Sequence, residues 1–307
     1  MPDTGTRGGL YQGLNSGVKS GNAMSNPRSG LNGGMHNITP NRNKMLNPKN
    51  LTGTKKPLIY GLADNYTGEV GVATLSLDDI ADTGNNWISN GSQSNRPVPV
   101  VNGLNGRNIL NYNSSLAQLL PRLSLSSTLR QSYTFMFMVK LNGNNGLTIL
   151  DSNTITAGAI LVQTPASSAS SYRIDSRFYS ATSTGTTYTS DVGPTFATSS
   201  ANTPDEFKQY MLLTIKYRLV QPNGRGSEQH MFINGRFHQL LPGTDNFSST
   251  INSTFSITSC FVGNNSTGLA STIDFKLGMA LVLPYWVEYS EQVKIENYFR
   301  WYYRYNF

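Results

Sequence analysis

"YMLLTIKYRLVQPNGRGSEQHMFINGRFH", residues 210–238, decides the fold. In its first ten residues Met211, Leu213, Ile215, Tyr217 and Leu219 alternate with Thr214, Lys216 and Arg218. That period of two belongs to a β-strand with one apolar face. Further on, Asn234-Gly235 stands between two apolar-alternating arms. Both residues tolerate positive φ, so the pair predicts a type I′ two-residue hairpin.

The same texture extends outward in both directions. "SYTFMFMVKL" (132–141) is apolar on both faces, Phe135, Phe137 and Val139 against Met136 and Met138. It predicts a central strand covered on both sides. "IDFKLGMALVL" (273–283) sets Ile273, Phe275, Leu277, Met279, Leu281 and Leu283 on one expected face. One strong helix follows, "SEQVKIENYFRWYY" (290–303), with Ser290 as the expected N-cap. Ile295, Tyr298, Phe299 and Tyr302 form its apolar stripe, which should pack on the strands. The fold class is therefore all-β: a two-sheet antiparallel sandwich with a short C-terminal helix.

The N-terminal part reads differently. Residues 1–56 hold Arg7, Lys19, Arg28, Arg42, Lys44, Lys49, Lys55 and Lys56 against the single acid Asp3. Residues 57–307 hold equal numbers of basic and acidic residues, so the whole net charge of +7 belongs to the leader. In "GLYQGLNSGVKSGNAM" (9–24) Gly9, Gly13, Gly17 and Gly21 recur every fourth position, with Leu10, Leu14 and Val18 behind them. Collagen requires period three, and Gln12, Asn15, Ser16 and Lys19 interrupt any membrane helix. So polar a segment buries too little apolar surface to fold alone. Two domains are expected: a basic Gly/Asn-rich arm, 1–56, and a sandwich, 57–307. Arg7, Lys19 and Arg28 join the glycines and apolar pegs as the anchoring residues of the arm.

Four blocks in order resemble the concanavalin A-like lectin/glucanase superfamily, in its laminin-G-like branch. They are "RPVPVVNGLNGRNILNYNSS" (96–115), the 132–141 block, the 210–238 block and "FKLGMALVLPYWVEYSEQVKIENYFRWYY" (275–303). The resemblance spans about residues 58–305. It implies a jelly-roll sandwich in a family of sugar binders, sugar-cleaving enzymes and structural modules, so it leaves function open. Glucanase members carry Glu-x-Asp-x-Glu on one strand; this chain has no such string.

Other chemistry is sparse. No Gly-x-Ser-x-Gly, Walker loop, His-Glu-x-x-His or Gly-x-Gly-x-x-Gly occurs, and no catalytic residue is nominated. Cys260 is the only cysteine, read as a buried core residue, so neither an intramolecular disulfide nor a four-Cys zinc site can form. Asp78, Asp79 and Asp82 are calcium candidates, as are Asp151 and Asn153. Of the histidines, His36 lies in the arm, while His230 and His238 flank the hairpin as strand-surface residues. Trp87, in the polar "TGNNWISNGS" (83–92), is the candidate sugar contact; Trp286 and Trp301 read as core packing.

These features predict a non-enzymatic virion structural protein of decoration, minor-capsid or fibre type. The arm would bind other virion proteins and the sandwich would be displayed, with host-surface glycans as further partners. The charges of the arm are single and spaced, so direct nucleic-acid contact is not expected. No apolar run is long enough to span a membrane and no secretory signal is seen, so synthesis in the host cytoplasm is expected. A lectin-like adhesion module is the alternative, and a divergent glycosidase the third.

Overall fold

The computed structural model describes residues 44–67, 76–84, 86–89, 97–112, 118–121, 132–141, 148–151, 159–163, 171–173, 175–181, 187–192, 195–197, 209–218, 228–238, 261–263 and 275–305. The Gly-periodic stretch, with Arg7 to Arg28, lies outside these residues, as do His36, Asn153 and Cys260.

The described strands in chain order are β1 (Ile59–Thr67), β2 (Ser76–Asp79), β3 (Trp87–Ser89), β4 (Val98–Leu104), β5 (Arg107–Tyr112), β6 (Gln118–Pro121), β7 (Ser132–Leu141), β8 (Thr148–Asp151) and β9 (Ala159–Gln163). They continue with β10 (Ser171–Arg173), β11 (Asp175–Ala181), β12 (Thr187–Val192), β13 (Thr195–Ala197), β14 (Met211–Arg218), β15 (Glu228–Ile233), β16 (Arg236–His238), β17 (Phe261–Gly263) and β18 (Phe275–Leu283). One α-helix, α1 (Tyr289–Tyr303), follows. The architecture is an all-β antiparallel sandwich with a short C-terminal helix. Its hydrogen-bonded path runs β12-β11-β9-β8-β17-β6-β3-β2-β1-β18-β7-β14-β15-β16, with β4 and β5 attached at β18 and β10 paired with β13 apart. Strands near the two ends of the path, β12 and β15, come together.

The central strands β18, β7 and β14 are buried on both faces, as the 132–141 pattern requires. One face carries Phe135, Phe137, Val139, Met211, Leu213 and Ile215 into the sandwich interior. The other carries Met136, Met138, Leu212, Tyr60 and Leu62, which meet Ile295, Phe299 and Tyr303 of α1.

β18 departs from simple alternation. Phe275 and Leu277 pair with Leu141 and Val139, but after a shift at Gly278 Met279 and Leu281 pair with Met138 and Met136. This bulge moves Met279, Leu281 and Leu283 to the helix face, while Phe275 and Leu277 stay on the interior face. It also divides one edge of the strand: β5 pairs with Phe275–Leu277 and β1 with Met279–Val282. The single face expected for 273–283 is thus two half-faces.

Two Asn-Gly turns seat the helix. Asn234-Gly235 has φ of 56° and 80°, the predicted type I′ geometry. Asn105-Gly106, joining β4 to β5, has φ of 50° and 84°. The Asn105 side-chain amide donates to Tyr303 O at 3.1 Å and Arg304 O at 3.0 Å, carbonyls left open at the end of α1. At the other end Glu288, not Ser290, is the N-cap, and it makes no side-chain capping bond.

Residues 44–56, assigned to the arm from sequence, fold onto α1. Leu46 N donates to Lys294 O at 3.0 Å, Leu51 is buried, and Lys55 Nζ reaches both Glu291 oxygens at 3.0 Å. Four of the eight basic residues of 1–56, Lys44, Lys49, Lys55 and Lys56, therefore lie in this belt.

Candidate functional site

α1 covers only part of its face of the sheet. Beyond the helix N-terminus, cross-strand register places Lys216 opposite His230 and Thr214 opposite Phe232, and Phe232 in turn opposite Phe237. The linker between β18 and α1 adds Trp286, and the first turn of α1 adds Tyr289. The rings form a continuous chain. Tyr289 to Phe232 is 6.3 Å between centroids, Phe232 to Phe237 5.2 Å, Phe237 to His230 4.9 Å and His230 to Trp286 4.9 Å. Phe237 and Tyr289 are exposed by 44% and 59%, whereas Phe232 is buried. The result is an aromatic shelf with exposed rims and a buried floor.

Two cations lie against these rings. Lys216 is only 2% exposed; its Nζ donates to Val287 O at 3.1 Å and sits 4.8 Å from the Phe232 ring and 4.7 Å from that of Trp286. The Arg218 guanidinium is 4.3 Å from the Trp286 ring. The ring quadrupoles attract both charges, each by roughly 0.5–2 kcal/mol.

The linker is pinned in place. The Thr134 hydroxyl donates to Tyr285 O at 2.9 Å and accepts from Val287 N at 3.1 Å, and Trp286 N donates to Ser132 Oγ at 3.2 Å. Tyr285 donates its hydroxyl to Glu291 Oε1 at 3.3 Å. Burial, reinforced by the Glu291 charge, pushes that hydroxyl far above the ordinary tyrosine range, so it remains a donor at any physiological pH. The backbone on both sides of Trp286 is thereby fixed to β7.

The residues singled out from sequence have other places. Trp87 is fully buried on β3. A Cβ on Gly61 would come within 3.1 Å of its Cδ1, so its ring faces the sheet interior and not a sugar. Asp79 is occupied by protein donors: Tyr60 N at 2.8 Å and Ala81 N at 3.1 Å on Oδ1, Thr83 N at 2.7 Å and the Thr83 hydroxyl on Oδ2. Asp78 accepts from Ser76, and Asp82 offers its carbonyl to Lys56 Nζ at 3.3 Å. Among the described residues no group of three or more His, Cys, Asp or Glu is arranged to hold a metal ion. His238 is paired with Met231, one step out of register with His230. Trp286 and Trp301, read as core, both reach the surface: Trp286 borders the shelf and Trp301 is 47% exposed. Among the described residues no helix is long and apolar enough to cross a membrane.

By architecture the chain is an antiparallel sandwich with a helix laid over part of one sheet face. Among solved structures it is similar to the receptor binding domain of botulinum neurotoxin mosaic serotype C/D, with a TM-score of 0.50 at 10% identity over 77% of this chain and 49% of that one. It is also similar to the serotype D ligand binding domain in complex with N-acetylneuraminic acid (TM-score 0.49, 11% identity, 77% and 49%). A third is the binding domain of botulinum neurotoxin DC in complex with SialylT (0.47, 13%, 78% and 49%). The chain spans about half the length of these structures, and at such identity the likeness is one of fold. No family model matches the chain, and no curated protein matches it. The resemblance to the laminin-G-like branch rests on the residue blocks alone.

Proposed function

We propose that this chain is a non-enzymatic, lectin-like module that binds a glycan on the shelf of Trp286, His230, Phe237 and Tyr289. One observation carries the reading: a continuous chain of rings that runs from the exposed Tyr289 and Phe237 to Trp286, which is backed by cations and stands on a linker pinned by hydrogen bonds. A pyranose presents C–H groups on one face, and their partial positive charge suits the negative face of an aromatic ring. Arg218 adds hydrogen-bonding capacity beside Trp286. The reading accords with the receptor binding role named for the structural neighbour of TM-score 0.50.

Glycan-array retention of the intact chain tests it. The unmodified protein is retained on a defined subset of glycans. Trp286→Ala and Phe237→Ala each weaken retention by at least about tenfold, the scale of losing one well-placed ring, 1.4 kcal/mol or more. Absence of retention on every glycan, or equal retention by Trp286→Ala, overturns the reading.

A second reading, favoured by the charge of the leader, anchors this module to a virion through the residues before Lys44. They hold Arg7, Lys19, Arg28 and Arg42 against Asp3. Deleting residues 1–43 would then abolish incorporation into particles while glycan retention persists. Undiminished incorporation refutes the anchor.

A further inference from the structure

Glu296 is buried where three elements meet. Its Oε1 accepts from Gln292 Nε2 at 2.7 Å and from the Thr214 hydroxyl of β14 at 3.2 Å. Its Oε2 is 3.9 Å from Arg300 Nη2 and lies directly over the hairpin turn, since a Cβ on Gly235 would come within 2.9 Å of it. Arg300 Nη2 donates to Asn234 O at 3.1 Å. Asn234 is tied to β14 as well, its N donating to Leu212 O at 2.9 Å and its Oδ1 accepting from Leu212 N at 2.8 Å. The carboxyl thus lies in the seam between α1, β14 and the turn of the β15–β16 hairpin, bonded to β14 directly and joined to the turn through Arg300. The charged groups facing it are Arg300 from its own helix and Lys216 from β14; the turn, Asn234-Gly235, brings none. Gln292 Oε1 is also buried in this seam, without a partner.

We propose that the Glu296 carboxyl is a proton-operated clasp between α1 and the Glu228–His238 hairpin, regulating how firmly the Phe237 and His230 side of the shelf is held. The clasp is a property of the hairpin and stands whether or not the shelf binds a sugar. Burial holds the Glu296 carboxyl above its ordinary value of 4.5, more strongly than Gln292, Arg300, Thr214 and Lys216 together lower it. Opening the turn returns water to the carboxyl and restores ordinary acidity. The docked hairpin therefore binds the proton more tightly than the open one. Docking is fully favoured below the ordinary value and weakens as pH rises through the raised one. Across that window the opening equilibrium grows by up to about tenfold per pH unit, the slope of one proton.

Native-state hydrogen exchange of the intact protein from pH ~4.5 to ~8, corrected for intrinsic exchange, reads this opening. Amides of Met231, Phe232 and Ile233 open increasingly with pH, while those of Phe135–Val139 in β7 do not. The midpoint coincides with the Glu296 carboxyl titration followed by ¹³C NMR. Glu296→Gln keeps an acceptor for Gln292 and Thr214 and removes the rise in hairpin opening that follows the Glu296 titration. An unchanged slope in Glu296→Gln, an ordinary Glu296 titration, or two midpoints that disagree overturns the proposal. If Glu296→Gln fails to fold, the two wild-type midpoints decide alone.

Discussion

Phe299→Ala lowers the free energy of unfolding by about 3–5 kcal/mol, the range for deleting a fully buried phenylalanine. Phe299 is completely buried at the centre of the α1 stripe. Its ring meets Tyr60 of β1 edge-on at 6.1 Å and Tyr298 at 5.4 Å. The same cluster includes Met136, Met138 and Leu281, which belong to strands that cannot retreat, because their opposite faces fill the sandwich interior. Little of the lost volume can be recovered by collapse, which places the effect high in the range. Urea titration followed by fluorescence and far-UV signal measures it as a fall in midpoint at constant slope. A loss below about 1 kcal/mol would mean that α1 is not seated by this cluster.

Gly235→Ala destabilises by about 2–3 kcal/mol. Two causes act together. The residue has φ of 80°, a left-handed conformation that costs a side chain roughly 1–2 kcal/mol. A Cβ there would also stand 2.9 Å from both Arg300 Nη2 and Glu296 Oε2, and the latter belongs to a buried carboxylate already committed to Gln292 and Thr214. Gly106→Ala separates the causes. Its φ is 84°, but nothing lies within 4 Å of its Cβ position, so only the conformational cost applies. Paired melts should show Gly235→Ala as the more damaging change. Equal losses would show that Glu296 and Arg300 give way freely at the turn.

The elements governed by local chemistry were legible in the chain. Asn234-Gly235 required positive φ twice and has it, and the apolar alternation of 132–141 and 211–218 matches the observed faces. The helix stripe was legible too, with Ile295 and Phe299 fully buried. The bulge at Gly278 was not: an unbroken alternation predicts one face, and only the competition of β5 and β1 for the same edge shows that a residue must be set aside. The shelf was hidden for a related reason. Trp286 stands in an apolar run and reads as core, but the hydroxyls of Ser132 and Thr134, about 150 residues earlier, turn its linker along β7. Lys216 and Arg218 were visible as the polar side of their strand; that this side is the helix face, and that Lys216 is buried there, is tertiary information. Trp87 was misplaced by its polar neighbours, since β3 is a short strand inside the sheet path rather than a loop.

The seat of α1 is assembled from β1, β7, β14 and β18 and from a turn at Asn105, while the helix itself comes after all of them in the chain. During synthesis at roughly 5–20 residues per second, the methionine-rich side of the sheet stays uncovered until residues 289–303 leave the ribosome. A nascent chain halted before that point exposes an adhesive surface, and it is there that a chaperone would find its substrate.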